Sequence, residues 1–581
     1  MLVSNNLRNA IFRLLWNPRT QRALDGGAFG RRVVESRESS WREEAEGSIL
    51  LKAVSHWRKD SESWFAGSYD RLPETLRVNP HTPDKEWIES WLDGIGASRT
   101  PWFSGPGSAW EMPFERGSAI GEIKNIMTAL HDTGRITRQE SVSMLPVLAL
   151  NPSPGECILD LCASPGSKTT QICEHLGDTG AVIANEVISG RVNTLVTNVQ
   201  RHGSRSAVVV QHDGRHFPKV PGKGFERVLV DVPCTGSGTT RKNPDVWSKW
   251  RPSAGRSLHS LQFDILRRAI AVTKAGGRVV YSTCSLDPVE NEAVVARVLA
   301  EGKVRVIPSR ELLPGVPSEY GVSDWPCLDD SGEPSEWDPV DENLMPPLDE
   351  EISSQLGGCL RVWNDAIGGG GFFLAVLEKT PESGDSSETA RIPFPSPKQY
   401  IDPDSFPRPI SQKRKTELEN EWGSSPSSLW FRGKSLLWST DEVMEIWESD
   451  RTRKSGREIV PGGRWRPLKV IHLGLIAARL RKGNLDRIVS KASRRLHEEV
   501  SGPFLDVEGT VIDDILRGLE PHRNTLEELG DEERGSRILV GPDGYCLAVW
   551  VGSRVTPMVS ESEKTVMRAV RGLTTDSREE E

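Results

Sequence analysis

The stretch Ile158-Leu-Asp-Leu-Cys-Ala-Ser-Pro-Gly-Ser-Lys-Thr-Thr170 runs a buried-strand pattern into a turn of small residues and then into a helical pattern, Gln171 to Leu176. Strand, tight turn and helix in that order form the opening unit of a doubly wound α/β sheet, whose ligands sit at the carboxyl ends of the strands. The residues that follow repeat the alternation. Short β-branched runs occur at 157–161, 181–184, 207–211, 227–232 and 278–282, and Phe372-Phe-Leu-Ala-Val-Leu377 follows four glycines, Gly368 to Gly371. Helical patterns lie between them. The clearest spans 257–275, with Leu258, Leu261, Ile265, Ala269 and Val272 on one face, Ser257 as N-cap and Gly276-Gly277 as the stop. Alternating units of this kind predict a parallel sheet covered by helices on both faces.

The whole chain sets bounds on this reading. It has 581 residues, 64.4 kDa, 36% hydrophobic and 27% charged residues, and a mean hydropathy of −0.43. Its length suggests three or four domains at roughly 100–200 residues each. No stretch approaches the ~18 apolar residues that cross a bilayer, so no membrane partner is expected. A net charge of −9 argues against gripping nucleic acid by bulk charge but leaves room for a local basic surface. Eight cysteines in this length do not make a disulfide scaffold, and without a CxxC pair no metal site is expected.

Residues 1–60 read as an N-terminal extension. Within it, 1–24 carry Arg8, Arg13, Arg19 and Arg22 and no acid before Asp25, with Leu7, Ile11, Leu14 and Leu15 at helical spacing. This composition suits a mitochondrial or plastid transit peptide, or a plain basic amphipathic segment. Residues 25–60 read as a linker or loose helix. Residues 61–150 read as an N-terminal subdomain, 151–380 as the alternating α/β domain, 381–428 as a linker, 429–556 as a further folded unit, and 557–581 as an acidic tail. Residues 308–358, rich in Pro, Asp, Glu and Trp, read as an excursion from the sheet. Strand-like runs in the C-terminal unit fall at 435–438, 468–474 and 545–551, with a helix at 509–519.

Chemistry concentrates at the predicted strand ends. Gly166 allows close backbone approach to a ligand. Glu186, twenty residues on, is placed to accept hydrogen bonds from ribose hydroxyls, and Asp213, one strand later, to meet an adenine amino group. The turn lacks the G-x-G-x-x-G of dinucleotide enzymes, so the layout suits a nucleoside rather than a pyrophosphate. A lone glycine turn is more often structural, but three acids at successive strand ends outweigh that. A second strand ends at Asp231-Val-Pro-Cys-Thr-Gly-Ser-Gly238, and a third runs into Tyr281-Ser-Thr-Cys-Ser-Leu-Asp-Pro-Val-Glu-Asn-Glu292. Adjacent parallel strands bring Cys234 and Cys284 to one edge. A single buried cysteine usually serves as a small hydrophobe, whereas two in post-strand loops suggest thiol chemistry. Lys168 and a helix starting near Ser285 are candidates to raise the thiolate fraction. A nucleoside cofactor, one or two thiols and an acid fit covalent activation of an electron-poor ring, and spacing leaves the ring open.

The phrases D-L-C-A-S-P-G-S-K-T-T, D-V-P-C-T-G-S-G-T-x-R-K-N and Y-S-T-C-S-L-x-P-x-E-N-E resemble the Nop/Sun family of RNA cytosine-5 methyltransferases. Arg71-Leu-Pro-Glu-Thr-Leu-Arg-Val-Asn79 and Arg135 to Pro146 resemble its N-terminal motifs, and Arg241-Lys242-Asn243 with Gly370-Gly-Phe-Phe373 resemble its eukaryotic tRNA branch. The resemblance covers roughly residues 60–380. It implies a Rossmann-like seven-stranded S-adenosylmethionine-dependent methyltransferase domain with an N-terminal α/β extension and a smaller, β-rich PUA-like C-terminal domain. It further implies that Cys284 attacks cytosine C6, that Cys234 assists release, and that Asp231, oriented by Lys168, holds the cytosine edge. Cofactor contacts are expected from Cys162, Ala163, Ser164, Pro165, Gly166, Ser167, Lys168, Glu186, Asp213 and Asp231. Ser164 stands where alanine is common in the family. Arg77, Arg241 and Lys242 are expected to hold RNA phosphates, although any one such arginine is as readily a solvated charge.

The expected partner is RNA, tRNA in particular, met by a monomer. The expected location is the nucleus, with nucleolus or cytoplasm beside it and an organelle left open by the arginine-rich start. Trp430-Phe-Arg-Gly-Lys434, Arg451-Thr-Arg-Lys454 and Arg464-Trp-Arg466 interleave aromatic and basic residues as an RNA surface does, with a stability or partner role of equal weight. Three competing functions stand beside this one: a catalytically silent RNA-binding scaffold, ribosomal or messenger RNA as substrate, and a nucleotide-dependent oxidoreductase. Both thiols, Asp231 and Lys168 oppose the first, and the turn pattern opposes the last.

Overall fold

A computed structural model describes residues 42–220, 222–336, 341–381, 406–449, 465, 468–482, 484–526 and 534–573. Seven strands form the centre of its largest sheet: β1 Cys157–Asp160, β2 Ala181–Asn185, β3 Ala207–Val210, β4 Phe225–Asp231, β5 Thr273–Thr283, β6 Val304–Ile307 and β7 Phe372–Lys379. Their order is β3-β2-β1-β4-β5-β7, with β6 on the outer edge of β7. The first five are mutually parallel, and β7 inserts antiparallel against β5. Strand pleating sends Leu159 and Ile158 into separate apolar cores on the two faces of the sheet. The strand order reverses between β1 and β4, so a crevice opens at their carboxyl ends.

Three further strands complete a ten-stranded sheet: Glu319–Tyr320 and Leu360–Val362 beyond β7, and Val470–Leu473 beyond β3. The last corrects the division of the chain. The run predicted at 468–474 as part of the C-terminal unit instead pairs antiparallel with β3 and buries Val470 and Leu473 in the catalytic core. Its alternative would leave β3 as a bare edge, which proteins avoid. The predicted helix 257–275 runs Pro252–Val272, because Pro252 suits the first helical turn and Thr273 is already extended to pair with Phe225. Gly276 and Gly277 lie within β5.

Residues 73–138 form a four-stranded sheet, from strands Pro73–Val78, Ser98–Arg99, Ser108–Glu115 and Ile136–Arg138. The helix Ile49–Trp57, expected to be loose, buries Leu50, Val54 and Trp57 against Trp247, Trp250 and Trp363. Residues 1–41, with the arginine-rich segment, lie outside the described residues, as do 382–405 of the expected linker. The rest of that linker is folded, with helix Gln412–Trp422 placing Leu418 and Trp422 in the C-terminal core. That unit contains a five-stranded sheet and a four-stranded sheet. The expected acidic tail begins with an ordered helix, Glu561–Val570, whose Val566 packs into the N-terminal subdomain. Its Glu563 pairs with Arg135 at 2.7 Å.

Candidate active site

The turn after β1 makes one wall of the crevice. Gly166 has φ +112°, and a Cβ there would lie 2.9 Å from Leu195 Cδ1, so the position demands glycine. It caps the helix Ser167–Leu176, whose first turn presents backbone N–H groups and Lys168. Asn198 Nδ2 donates to Pro165 O at 2.7 Å, and Arg191 Nη2 to Ser164 O at 2.7 Å, which fixes the turn from behind. Cys162 is half-buried at this turn, with its thiol pushed far up by burial.

The acids sit at the strand ends as expected. Glu186, 4% exposed, accepts from Ile188 N at 2.9 Å and faces Arg191 at 3.3 Å. Asp213 caps a short turn and pairs with Arg215 at 2.6 Å. Asp160 accepts from Thr169 at 2.7 Å through one oxygen, while the other is buried with no hydrogen-bond partner in the protein. Burial pushes its carboxyl up to about 7. S-adenosylmethionine, the cofactor of methyltransferases on this fold, fits these residues. A glycine-built cradle, an unpaired carboxylate oxygen and acids spaced for ribose and adenine are the donor set such a molecule needs.

The second wall carries the thiols. Cys234 follows β4 and Cys284 follows β5, and their sulfurs lie 3.2 Å apart. The Cys234 thiol is raised far above its ordinary value by its hydrogen bond to Cys284 and by burial, so it is held protonated. Beside them, Lys168 Nζ donates to Asp231 Oδ2 at 2.7 Å, and Ser282 Oγ donates to Asp231 Oδ1 at 2.8 Å. Burial opposes the Lys168 ammonium, but the charge and hydrogen bond of Asp231 with the charge of Asp160 outweigh it, so Lys168 stays charged. Ser143, unassigned in the sequence, takes a second Lys168 proton at 2.9 Å. Only the Arg135 to Pro146 phrase hinted at it.

Lys168, Asp231 and Cys284 line one cleft of about 580 Å³ between the methyltransferase domain and the N-terminal sheet. Arg116, Arg138, Arg201 and Lys242 line the same cleft, alongside Glu74 and Glu140. Of the three basic residues predicted for RNA, only Lys242, half-exposed, remains at this wall. Arg77 is fully buried, with a two-pronged pair to Glu174 at 2.9 and 2.8 Å, and so contacts no phosphate. Arg241 spends its guanidinium on backbone carbonyls, including Asp70 O at 2.8 Å and Gly369 O at 3.0 Å, which ties the glycine run to the N-terminal subdomain. The helix expected near Ser285 begins only at Glu292, so no helix N-terminus activates Cys284. Trp430 is fully buried and stacks on Trp465 at 5.4 Å, which makes those aromatics core rather than RNA platforms. Residues 450–464, which hold Arg451 to Lys454, lie outside the described residues, as do 466–467.

A doubly wound sheet with an inserted antiparallel strand, a nucleoside cradle and paired thiols at its carboxyl edge has the architecture of the Rossmann-like methyltransferase fold. Residues 147–377 match the family model described as 16S rRNA methyltransferase RsmB/F. That segment is similar to the RsmB/F, or Nop/Sun, family over the stretch that carries the nucleoside cradle and both thiols. It is 37% identical over 367 residues to a multisite-specific tRNA:(cytosine-C(5))-methyltransferase of Saccharomyces cerevisiae, covering 57% of this chain and 54% of the relative. It is 35% identical over 358 residues to a tRNA (cytosine(34)-C(5))-methyltransferase of Drosophila melanogaster, covering 54% and 47%. A methyltransferase homologue of Pyrococcus horikoshii of known structure is 26% identical, with a TM-score of 0.43, covering 56% of this chain and 93% of that one. The chain thus spans about half the length of these curated relatives.

Proposed function

We propose that this protein methylates C5 of cytosine in RNA, with tRNA as substrate, through a covalent adduct on Cys284. The observation that carries the reading is the pair of sulfurs 3.2 Å apart beside the Lys168–Asp231 pair. Cys284 Sγ, as the thiolate formed when its proton passes to solvent, adds to C6, which breaks the C5–C6 double bond and makes C5 nucleophilic. Asp231 accepts from the exocyclic amine, while the Lys168 ammonium stabilises electron density pushed toward N3. S-adenosylmethionine, when bound, supplies an electrophilic methyl group. Cys234, once it has given its thiol proton to solvent, takes the C5 proton, and the Cys284 thiolate leaves as the double bond re-forms.

The electrostatics support that order. The largest influence holding Cys234 protonated is the Cys284 sulfur. Once Cys284 is a neutral thioether, that influence is gone, and Cys234 ionises more readily when a base is needed. Lifting the target base from its stack costs a few kcal/mol, which favours loops and ends of RNA. The basic residues along the cleft support a phosphate-bearing substrate.

The C-terminal unit supports a second contact with the body of the RNA, in the manner of a PUA-like domain. Arg432, Ser435, Arg479 and Arg487 are successive cross-strand partners on one sheet. The neighbouring row, Phe431, Leu436, Ala478 and Ile488, faces the C-terminal core, while Trp430 and Leu437 on the arginine face pack into the catalytic core, so Arg432 and Arg479 are half-buried and Arg487 is the exposed arginine that offers such a contact. We place the working enzyme in the nucleus as a monomer, readings that cell imaging and light scattering check.

Incubation with total RNA and methyl-labelled S-adenosylmethionine, followed by nucleoside mass spectrometry, tests the function. Label is expected as 5-methylcytosine in tRNA and absent with Cys284→Ala. Cys234→Ala is expected to leave an RNA adduct that survives denaturing electrophoresis. An active Cys284→Ala enzyme contradicts the assignment of the nucleophile, and label confined to ribosomal RNA contradicts the choice of substrate.

A further inference from the structure

Glu290 stands between the two thiol loops. It is fully buried and has no cationic partner among the described residues. Its Oε1 accepts from Thr235 N and from Gln262 Nε2, each at 2.9 Å. Its Oε2 accepts from Thr235 Oγ1 and from Ser285 Oγ, each at 2.5 Å. Thr235 directly follows Cys234, and Ser285 directly follows Cys284. One carboxylate therefore holds the residue next to each reactive thiol. Two further bonds tighten the knot: Gln262 Nε2 also donates to Pro233 O at 3.0 Å, and Tyr281 Oη donates to Glu290 O at 2.5 Å.

A carboxylate is suited to this task where a neutral acceptor is not. Four donors converge on two oxygens, and charge-assisted hydrogen bonds are roughly twice as strong as neutral ones. The neighbouring Asp287 is also buried, and burial with the Glu290 charge pushes its carboxyl up to about 8. Asp287 thus holds its proton more tightly than an ordinary aspartate. The loops Pro233 to Gly238 and Thr283 to Asn291 also meet through Gly238 N to Cys284 O at 2.9 Å and Leu286 N to Ser237 Oγ at 2.7 Å, but of these contacts the carboxylate is the one that grips the residue after each thiol at once.

We propose that Glu290 is a positioning residue that sets the separation of Cys234 and Cys284, and so governs release of the methylated base more than formation of the adduct. The role in turnover rests on the proposed methylation, whereas the geometric role does not. Glu290→Ala removes the clamp. Glu290→Gln keeps its shape, because the Thr235 and Ser285 hydroxyls can turn to accept from the new amide. Thr235→Val and Ser285→Ala each remove one arm and serve if Glu290→Ala does not fold.

Two measurements on the full chain separate the claims. The first needs no RNA. Diamide oxidises Cys234 and Cys284 to a disulfide, two S–H groups losing two protons and two electrons that reduce the N=N bond to a hydrazine, and peptide mass spectrometry gives the rate. The rate is expected to fall roughly tenfold or more in Glu290→Ala, the scale on which about an ångström of misplacement acts, and to stay within about threefold in Glu290→Gln. The second follows formation and decay of the RNA adduct in a single turnover. Glu290→Ala is expected to accumulate adduct as Cys234→Ala does, with decay slowed by a larger factor than formation, and Glu290→Gln to restore decay. Crosslinking as fast in Glu290→Ala as in the native chain, or formation and decay slowed by equal factors, overturns the proposal. If the native chain crosslinks as expected but forms no adduct with any RNA, the methylation reading falls and the clamp stands.

Discussion

Replacing Arg77 with methionine removes one half of an ion pair that has no access to water. Arg77 and Glu174 are 0% and 1% exposed in their side chains, and the guanidinium also reaches Ser167 O at 3.3 Å. Burial alone would drive the Glu174 carboxyl up, yet the Arg77 charge holds it down at about 2. Set against an ordinary glutamate, that depression corresponds to about 3 kcal/mol. Because the folded-state value is depressed, the contribution is complete above about pH 4.5 and is lost as pH falls through about 2. Arg77→Met strands a charge in the core and should cost about 3–5 kcal/mol near neutral pH. Arg77→Met with Glu174→Leu should recover most of this, since an apolar pair of similar volume can replace a buried ion pair. Urea denaturation followed by tryptophan fluorescence reads both variants. A single variant with native stability but weakened RNA affinity refutes the reasoning, because it makes Arg77 the phosphate ligand that its sequence context suggested.

Three other outcomes are expected. Asp160 has a folded-state carboxyl pushed up to about 7, so stability falls as pH rises from about 4 toward 7 while the unfolded chain ionises first. Asp160→Asn should therefore gain on the native chain by up to about 4 kcal/mol across that range in urea melts, and a pH-independent difference contradicts this. Gly166→Ala forces a left-handed backbone onto alanine at about 1–3 kcal/mol and crowds Leu195. Calorimetric binding of S-adenosylmethionine should weaken, and unchanged affinity counts against the cradle. Deleting residues 558–581 should uncover Val566's seat and leave Arg135 without Glu563, read as faster proteolysis of the 61–150 region, and an unchanged digestion rate counts against docking of the tail helix.

Local pattern made the catalytic half of the chain legible. Strands β1 to β5 and β7 each carry an apolar run bounded by turn residues, and the site residues follow directly from the ends of β1 to β5. Lys168, Asp231, Cys234 and Cys284 meet because parallel strands deliver their carboxyl ends to one edge, a rule that needs only the strand order. What sequence missed depends on partners distant in the chain. Arg77 and Arg241 read as free cations because nothing near them announces Glu174 or the carbonyls at 364–369. Ser143 and Glu290 lay in recognised phrases, yet their roles appear only when Lys168 and Thr235 are brought beside them. The strand Val470–Leu473 looked like part of a separate unit because its pairing partner lies more than 250 residues earlier.

That pairing has a consequence for how the protein is made. During synthesis β3 emerges with its outer edge open, and the strand that covers it follows about 260 residues later, which at ~5–20 residues per second is a delay of roughly 13–50 s. Through that interval the nascent catalytic domain presents an unpaired edge of Ala207, Val208, Val209 and Val210, all apolar. The demand for a chaperone, and the hazard of pairing with a neighbouring nascent chain, therefore fall within this stage of translation.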